Sequence, residues 1–303
     1  MTFSHRCSAF ALGLAISLAP MQSLRAQDLE NVEIETVPVA EGIYMLVGEG
    51  GNIGVSVGAD GAFLIDDQFA PLTEKIQAAV SALSQRPIRF ILNTHWHFDH
   101  TGGNENFGRA GVTIVAHDNV RERMSVEQFL SAFDRTVPAS PPEALPIITF
   151  NDTVTFHLNG NTIETLHVPP AHTDGDSIVH FREADVIHTG DVYFNGFYPF
   201  IDIEHGGSIS GMISAADLVL EMADEDTQII PGHGALSNRA ELMAYRDMLV
   251  AVRDRTQAAI DAGMSADDFI ASNPTADLDV TWGNGFLSPE QFLRIVYEDL
   301  ARG

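Results

Sequence analysis

Thr94-His95-Trp96-His97-Phe98-Asp99-His100-Thr101-Gly102-Gly103-Asn104 is the most informative segment of this 303-residue chain. Positions 95–100 hold three histidines and one aspartate, and imidazole nitrogen and carboxylate oxygen are ligands that Zn²⁺ prefers. Residues 88–94 before it have the pattern of a short buried strand, and the glycine pair after it indicates a turn. The segment therefore predicts a metal-binding loop at the C-terminal end of a strand, where a rigid sheet holds ligands in place.

Three later residues have the local context of further metal ligands. His172, Asp191 and His233 each follow a short apolar run and stand beside Gly or Pro. Glycine allows a close backbone approach and proline fixes the chain direction. Each residue alone is a weak signal, but their order after the opening segment predicts that all three converge on one site.

In this order, residues 94–104 and the three later positions resemble the metallo-β-lactamase superfamily, from about residue 32 to about residue 249. The resemblance implies an α+β fold, a four-layer αβ/βα sandwich with the helices outside and the ligand loops along one edge. It also implies two Zn²⁺ ions per chain, with iron or manganese as alternatives.

The resemblance assigns a role to each candidate residue. It implies one ion on His95, His97 and His172, and a second on Asp99, His100 and His233, with Asp191 bridging the two. Asp99 is in addition the expected catalytic residue, which orients a metal-bridging hydroxide or relays a proton. Asp66, at the end of a strand-like run, is expected to orient a ligand imidazole, although Asp67 beside it leaves an ordinary turn aspartate as the alternative.

Hydrophobic periodicity predicts the remaining elements. Strands are expected at residues 32–37, 43–47, 53–57, 62–66, 112–116, 154–157, 162–168, 178–181 and 186–189, and helices at 72–83, 118–124, 208–222 and 239–262. Ser288, Pro289 and Gln291 predict a capping box at the start of a final helix. The proline-rich residues 125–148 are either a flap over the site or an inert surface excursion.

The first 26 residues are predicted to be a secretory signal peptide that is cleaved near Ala26, because a short apolar core follows His5-Arg6. Residues 27–262 are then the catalytic domain and 263–303 a C-terminal helical extension packed on it. The mature protein is expected in the periplasm or outside the cell, without stable membrane insertion. The only cysteine is Cys7, so the mature chain offers nitrogen and oxygen ligands and forms no disulfide.

The chain carries a net charge of −26, and Lys75 is its only lysine. Such a surface repels phosphate backbones, which argues against nucleic-acid partners and the nuclease branches of the superfamily. The expected partner is a small acyl substrate.

The resemblance implies acyl hydrolysis by a dinuclear zinc centre, and the sequence offers no cysteine nucleophile beyond Cys7 in the predicted signal peptide. Export favours β-lactam ring opening as the leading substrate. Against this, Phe194 stands where the cysteine-bearing β-lactamases place a substrate-binding lysine, so a lactone or thioester hydrolase is the alternative. Tyr193, Asn195 and Tyr198 are candidate substrate contacts or an aromatic loop packed on the sheet. An iron-dependent dioxygenase and a non-catalytic metal-binding protein remain as other classes.

Overall fold

Two β-sheets packed face to face form the centre of the structure, a computed structural model that describes residues 29–302. The predicted signal peptide and Cys7 lie outside the described residues. The first sheet has the strand order β1-β2-β3-β4-β5-β6-β9 and the second β10-β11-β12-β13-β14-β15. The strands are β1 (Glu35–Ala40), β2 (Ile43–Val47), β3 (Ile53–Gly58), β4 (Gly61–Ile65), β5 (Ile88–Leu92), β6 (Thr113–His117), β7 (Gln128–Leu130), β8 (Arg135–Val137), β9 (Ile148–Phe150), β10 (Thr153–Leu158), β11 (Asn161–His167), β12 (Ser177–Phe181), β13 (Val186–His188), β14 (Gln228–Ile230) and β15 (Ser237–Asn238).

Helices cover the outer face of each sheet. They are α1 (Thr73–Leu83), α2 (Phe98–Thr101), α3 (Asn104–Arg109), α4 (Asp118–Met124), α5 (Ile209–Met222), α6 (Arg239–Asp261), α7 (Ala266–Ala271), α8 (Ala276–Trp282) and α9 (Pro289–Arg302). Helix α1 buries Ile76 and Val80, which contributes about 1.5–3 kcal/mol per side chain. Ser208 and Asn238 accept backbone N–H groups at the starts of α5 and α6, which is why both helices begin within a residue of the predicted positions.

Three apolar clusters define the four layers. The middle cluster joins the inner faces of the two sheets, with Phe63 and Leu92 from the first packed with Val179 and Phe181 from the second. An outer cluster packs α1 on the first sheet, and the largest cluster packs α5, α6 and α9 on the second. This order of helix, sheet, sheet and helix confirms the predicted αβ/βα sandwich.

The first strand departs from its prediction by three residues. The sequence pattern predicts a strand from Val32, but β1 begins at Glu35. Val32 and Ile34 pack instead on the α1 side of the sheet, and the Lys75 ammonium donates to the carbonyl of Val32 at 2.6 Å. A lysine side chain therefore satisfies a backbone carbonyl that a neighbouring strand would otherwise pair.

The site-bearing half of the first sheet is parallel. Strands β4, β5, β6 and β9 run in one direction, and β13 and β14 do the same in the second sheet. Parallel strands end at a common edge, which places the segments that follow β4, β5 and β13 close together.

Two segments extend this sandwich. Residues 125–148 contain the β7–β8 hairpin and a short 3-10 turn before β9 joins the first sheet. After α6, the chain continues through α7, α8 and α9, and the predicted capping box forms between Ser288 and Gln291. Among residues 29–302 there is no helix with the length and apolarity to cross a membrane.

Candidate metal centre

Asp66 and Thr94 fix the loop that carries the histidine motif. Asp66 follows β4 with a φ of +66°, a left-handed conformation that non-glycine residues seldom adopt. Its carboxylate accepts the backbone N–H and the hydroxyl of Thr94, both at 2.7 Å, and Nδ1 of His100 at 2.8 Å. The carboxylate thereby ties the ends of two parallel strands to one imidazole.

The first cluster contains His95, His97 and His172, all buried. Nδ1 of His95 lies 3.1 Å from the Thr94 hydroxyl oxygen, whose own proton goes to Asp66. His95 therefore donates from Nδ1, and its Nε2 carries a lone pair. That Nε2 is buried and has no hydrogen-bond partner among the described residues, although an unpaired buried polar atom is costly.

His97 and His172 also direct unprotonated ring nitrogens into the first cluster, and these two nitrogens face each other. Nε2 of His97 lies 3.0 Å from a carboxylate oxygen of Asp202, and Nδ1 of His172 lies 2.8 Å from the carbonyl oxygen of Phe200. Both acceptors require an N–H at those positions. The remaining nitrogens, His97 Nδ1 and His172 Nε2, are 2.8 Å apart. Two lone pairs repel at this distance, so the arrangement fits a cation that both nitrogens bind.

The second cluster contains Asp99, His100 and His233. Nε2 of His233 lies 3.3 Å from Nε2 of His100 and 3.3 Å from an Asp99 oxygen. Because Nδ1 of His100 donates to Asp66, its Nε2 also faces the cluster. Asp99 and His233 are partly exposed, unlike the residues of the first cluster.

Asp191 lies between the two clusters. One carboxylate oxygen is 3.5 Å from Nε2 of His172 and 3.5 Å from Nε2 of His233, and the other is 3.0 Å from Nε2 of His100. Gly232 makes this position accessible, since a Cβ atom there would lie 2.1 Å from the carboxylate. The structure thus brings together all seven residues that the sequence analysis named as metal ligands.

A family model of the metallo-beta-lactamase superfamily matches residues 46–233, a range that contains both clusters. The chain belongs to the metallo-β-lactamase superfamily. Its sequence identity to individual curated proteins is about one quarter. It is 24% identical to acyl-coenzyme A thioesterase MBLAC2 of Bos taurus over 170 residues, which are 52% of this chain and 60% of that protein. It is 25% identical to hydroxyacylglutathione hydrolase of Polaromonas sp. over 183 residues, or 58% and 60% of the two chains.

Solved structures of the superfamily share the fold. A metallo-beta-lactamase from Pontibacter korlensis matches with a TM-score of 0.58 and 18% identity, covering 72% of this chain and 99% of its own. DIM-1 metallo-beta-lactamase matches with a TM-score of 0.56 and 19% identity, covering 73% and 99%. At these identities the likeness concerns the fold alone. This chain also spans less than two thirds of the two curated relatives named above.

The electrostatics of the two clusters differ. Burial lowers the pKa of His95 well below its usual range and lowers that of His172 to about 4. In the second cluster burial acts in the same direction, but the combined attraction to Asp191, Asp99 and other neighbouring carboxylates outweighs it. The pKa of His100 is therefore raised well above its usual range, and that of His233 is raised to about 9. His95 and His172 are therefore neutral imidazoles, whereas His100 and His233 favour positive charge.

The three candidate substrate residues direct their polar groups into the fold. The hydroxyl groups of Tyr193 and Tyr198 lie 2.8 Å from Ser237 Oγ and 2.8 Å from an Asp279 oxygen, and both rings are buried. The Asn195 amide donates to the carbonyl of Ala235 at 3.1 Å. These groups are engaged within the protein, which corresponds to the packing alternative for this loop rather than to substrate contact.

The sequence analysis missed the residues behind and beside the ligands. Asp202 is buried and lies 3.0 Å from His97 Nε2 and 2.8 Å from His205 Nδ1. The Phe200 ring is 5.8 Å from the rings of His97 and His172. Phe133, from the β7–β8 hairpin, lies 4.9 Å from the Phe200 ring, so residues 125–148 approach the site. Each candidate ligand histidine needs a hydrogen-bond acceptor for the ring nitrogen that faces away from the cluster. That need is the sequence signal that could have identified Asp202.

Proposed function

We propose that this chain is a two-metal hydrolase that cleaves a neutral ester or lactone. The observation that carries the proposal is the Asp191 carboxylate between two groups of imidazole nitrogens, with His95 Nε2 buried and without a hydrogen-bond partner in residues 29–302. His95, His97 and His172 would hold one cation, and Asp99, His100 and His233 the other, with Asp191 shared.

The mixed nitrogen and oxygen donors suit Zn²⁺ best, with iron or manganese as the alternatives.

Asp99 is the residue proposed to move the proton. Two bound divalent cations would polarise the substrate carbonyl and lower the pKa of a water molecule. Burial opposes ionisation of Asp99, but attraction to His100 and a hydrogen bond with His233 lower its pKa below the usual range. The carboxylate is therefore ionised at neutral pH and accepts a proton from water. As the water oxygen bonds to the acyl carbon and the bond to the leaving oxygen breaks, Asp99 returns the proton to that oxygen.

The groove beside His233 supports an uncharged substrate. It has a volume of about 550 Å³ and apolar walls that include Val37, Met45 and Leu236. Besides His233, its ionisable side chains are Glu35 and Glu49, and no lysine or arginine of the described chain lines it. Away from the proposed cations and His233, a carboxylate or phosphate would meet two glutamates and no basic partner here.

The position of Phe194 also favours an uncharged substrate. It is buried and stacks on His233 with ring centroids 5.2 Å apart, at the position where the sequence analysis noted the lysine of the cysteine-bearing β-lactamases. β-Lactam antibiotics carry a carboxylate, and thioesters of glutathione or coenzyme A are anionic. The β-lactam prediction therefore ranks behind the lactone or ester alternative. The periplasmic location remains part of the proposal through the predicted signal peptide.

The test measures metal content and hydrolysis on the same preparation. Mature protein is analysed for metal, then assayed with p-nitrophenyl acetate, a neutral lactone, a chromogenic cephalosporin and an acyl-coenzyme A, each with and without chelator. We expect two metal equivalents and chelator-sensitive hydrolysis, fastest for the ester or lactone. His157→Ala, in an exposed histidine of β10, is the matched control for variants of the ligand histidines.

Other results would replace the proposal with a defined alternative. Faster turnover of the cephalosporin would restore the β-lactam prediction. One equivalent of iron with oxygen consumption would indicate a dioxygenase. Full metal content without hydrolysis of any of the four substrates would indicate a metal-binding protein.

A further inference from the structure

We propose that Phe286, in the C-terminal extension, together with Phe197 forms an aromatic wall that binds the apolar group of the substrate. The inference rests on the proposed acyl hydrolysis at the metal centre and names what selects its substrate. Phe286 lies in the segment between α8 and α9, outside the region that the superfamily model matches. The wall is defined as the rings of Phe197 and Phe286, backed by Phe194.

The wall is continuous with the metal centre. Phe194 stacks on His233 at an interplanar angle of 13°. The Phe286 ring lies 6.0 Å from Phe194, 6.0 Å from Phe197 and 6.4 Å from His233. Phe197 and His233 both line the groove that runs past Glu49 and Met45. A substrate whose acyl carbon reaches the second cluster therefore has its adjacent atoms beside these rings.

Phe286 is held in place while its ring stays exposed. A Cβ atom on Gly285 would lie 2.6 Å from Phe197 Cβ, so glycine is needed for the chain to come this close. Upstream, the Trp282 carbonyl accepts the backbone N–H of Tyr198 at 2.8 Å. Downstream, Phe292 stacks on Tyr198 at 4.5 Å. Tyr198 thus anchors both sides of the segment, yet 52% of Phe286 remains exposed.

An exposed phenylalanine on a fixed segment beside a candidate active site indicates a ligand contact. The charges of the groove define the ligand. Beyond His233, its ionisable lining residues in the described chain are Glu35 and Glu49, so an anionic group finds no lysine or arginine partner there, whereas an alkyl chain or ring can pack on the apolar walls. The occupant is therefore the apolar acyl or alkyl part of a neutral ester or lactone.

The kinetic test compares Phe286→Ala with Val280→Ala. Val280 is 81% exposed on α8 of the same extension, so its variant controls for loss of an apolar side chain there. The substrates are p-nitrophenyl acetate, butyrate and octanoate. We expect Phe286→Ala to lower kcat/KM for octanoate about tenfold through KM, and to change the acetate value little. Phe286→Leu should recover part of the loss, and Val280→Ala should match the wild type. Equal losses on acetate and octanoate would overturn the proposal.

A binding test separates this proposal from the proposed function. The neutral dye N-phenyl-1-naphthylamine has no acyl bond, so fluorescence titration of the metal-loaded protein reports the wall regardless of turnover. We expect weaker dye binding to Phe286→Ala than to wild type or Val280→Ala, and competition by a neutral octanoate ester. Unchanged dye affinity in Phe286→Ala would overturn the wall. Reduced affinity in a protein that hydrolyses no ester would support the wall and reject the proposed activity.

Discussion

The two clusters of the candidate metal centre are built differently, although they share Asp191. His95 and His172 are each 1% exposed, whereas the side chains of His233 and Asp99 are 20% and 23% exposed. Each histidine of the first cluster has an acceptor for its second nitrogen within the fold. The second cluster has a higher density of carboxylates and opens on the groove. Under the proposed function, the first cluster would hold a permanent cation, and the second a cation that exchanges and meets substrate.

The largest expected effect concerns the first cluster. His95→Ala removes a buried ligand that the fold holds in a single tautomer, so we expect hydrolysis to fall to the uncatalysed background. Ester hydrolysis and metal content are measured against His157→Ala. Full-rate hydrolysis in His95→Ala would remove the first cluster from the mechanism.

The second-largest effect is expected for the Asp191 carboxylate, which lies between the two clusters. Asp191→Asn keeps the volume but removes the charge between the clusters, so we expect bound metal to fall from about two equivalents toward one. Inductively coupled plasma mass spectrometry on dialysed protein measures the change. A variant that retains both equivalents would show that Asp191 does not bridge.

Substitution of the residues that hydrogen-bond to the ligand histidines should affect the metal affinities of the two clusters differently. Asp202→Ala removes the acceptor of His97, and Asp66→Ala removes that of His100. We expect each change to weaken metal binding about 10- to 100-fold, with Asp202 acting on the first cluster and Asp66 more strongly on the second than on the first, because Asp66 also holds Thr94 behind His95. Competition with a chromophoric chelator measures both affinities. Equal effects of either variant on both ions would contradict the division into two clusters.

Acid should distinguish the clusters reversibly. A proton and a cation compete for the same imidazole lone pair. The pKa of His233 is raised to about 9 and that of His172 is lowered to about 4, so protons compete at the second cluster throughout the neutral range and at the first only in strong acid. Lowering the pH from about 7 to about 5.5 should release one metal equivalent first, measured by equilibrium dialysis. Simultaneous loss of both would contradict the comparison.

The smallest effect tests a residue outside both clusters. Tyr198→Phe removes the hydroxyl that donates to Asp279, and we expect the free energy of unfolding to fall by about 1 kcal/mol with KM for p-nitrophenyl acetate unchanged. Urea denaturation and steady-state kinetics measure the two quantities. A raised KM without loss of stability would indicate that Tyr198 contacts the substrate.

Local sequence patterns predicted the individual strands and helices and the candidate ligands because these depend on short segments, whereas the sandwich was implied by the resemblance to a known superfamily. Apolar runs define β2 and β4, and caps such as Ser208 define helix starts. The position of β1 depended on a contact between Lys75 and Val32, which are far apart in sequence. Asp202 and Phe286 were missed for the same reason: their partners come from distant segments, and an aromatic residue of the wall has the same sequence pattern as one of the core.

The position of Phe286 has a consequence for how this enzyme family diversifies. The histidines and aspartates of the centre end at His233, within the matched region, whereas Phe286 belongs to a separate stretch fastened on Tyr198. Exchange of that stretch between homologues would alter which molecules are accepted and leave the chemistry intact. If the proposed wall binds substrate, selectivity would change with this stretch while the metal-binding residues stay the same.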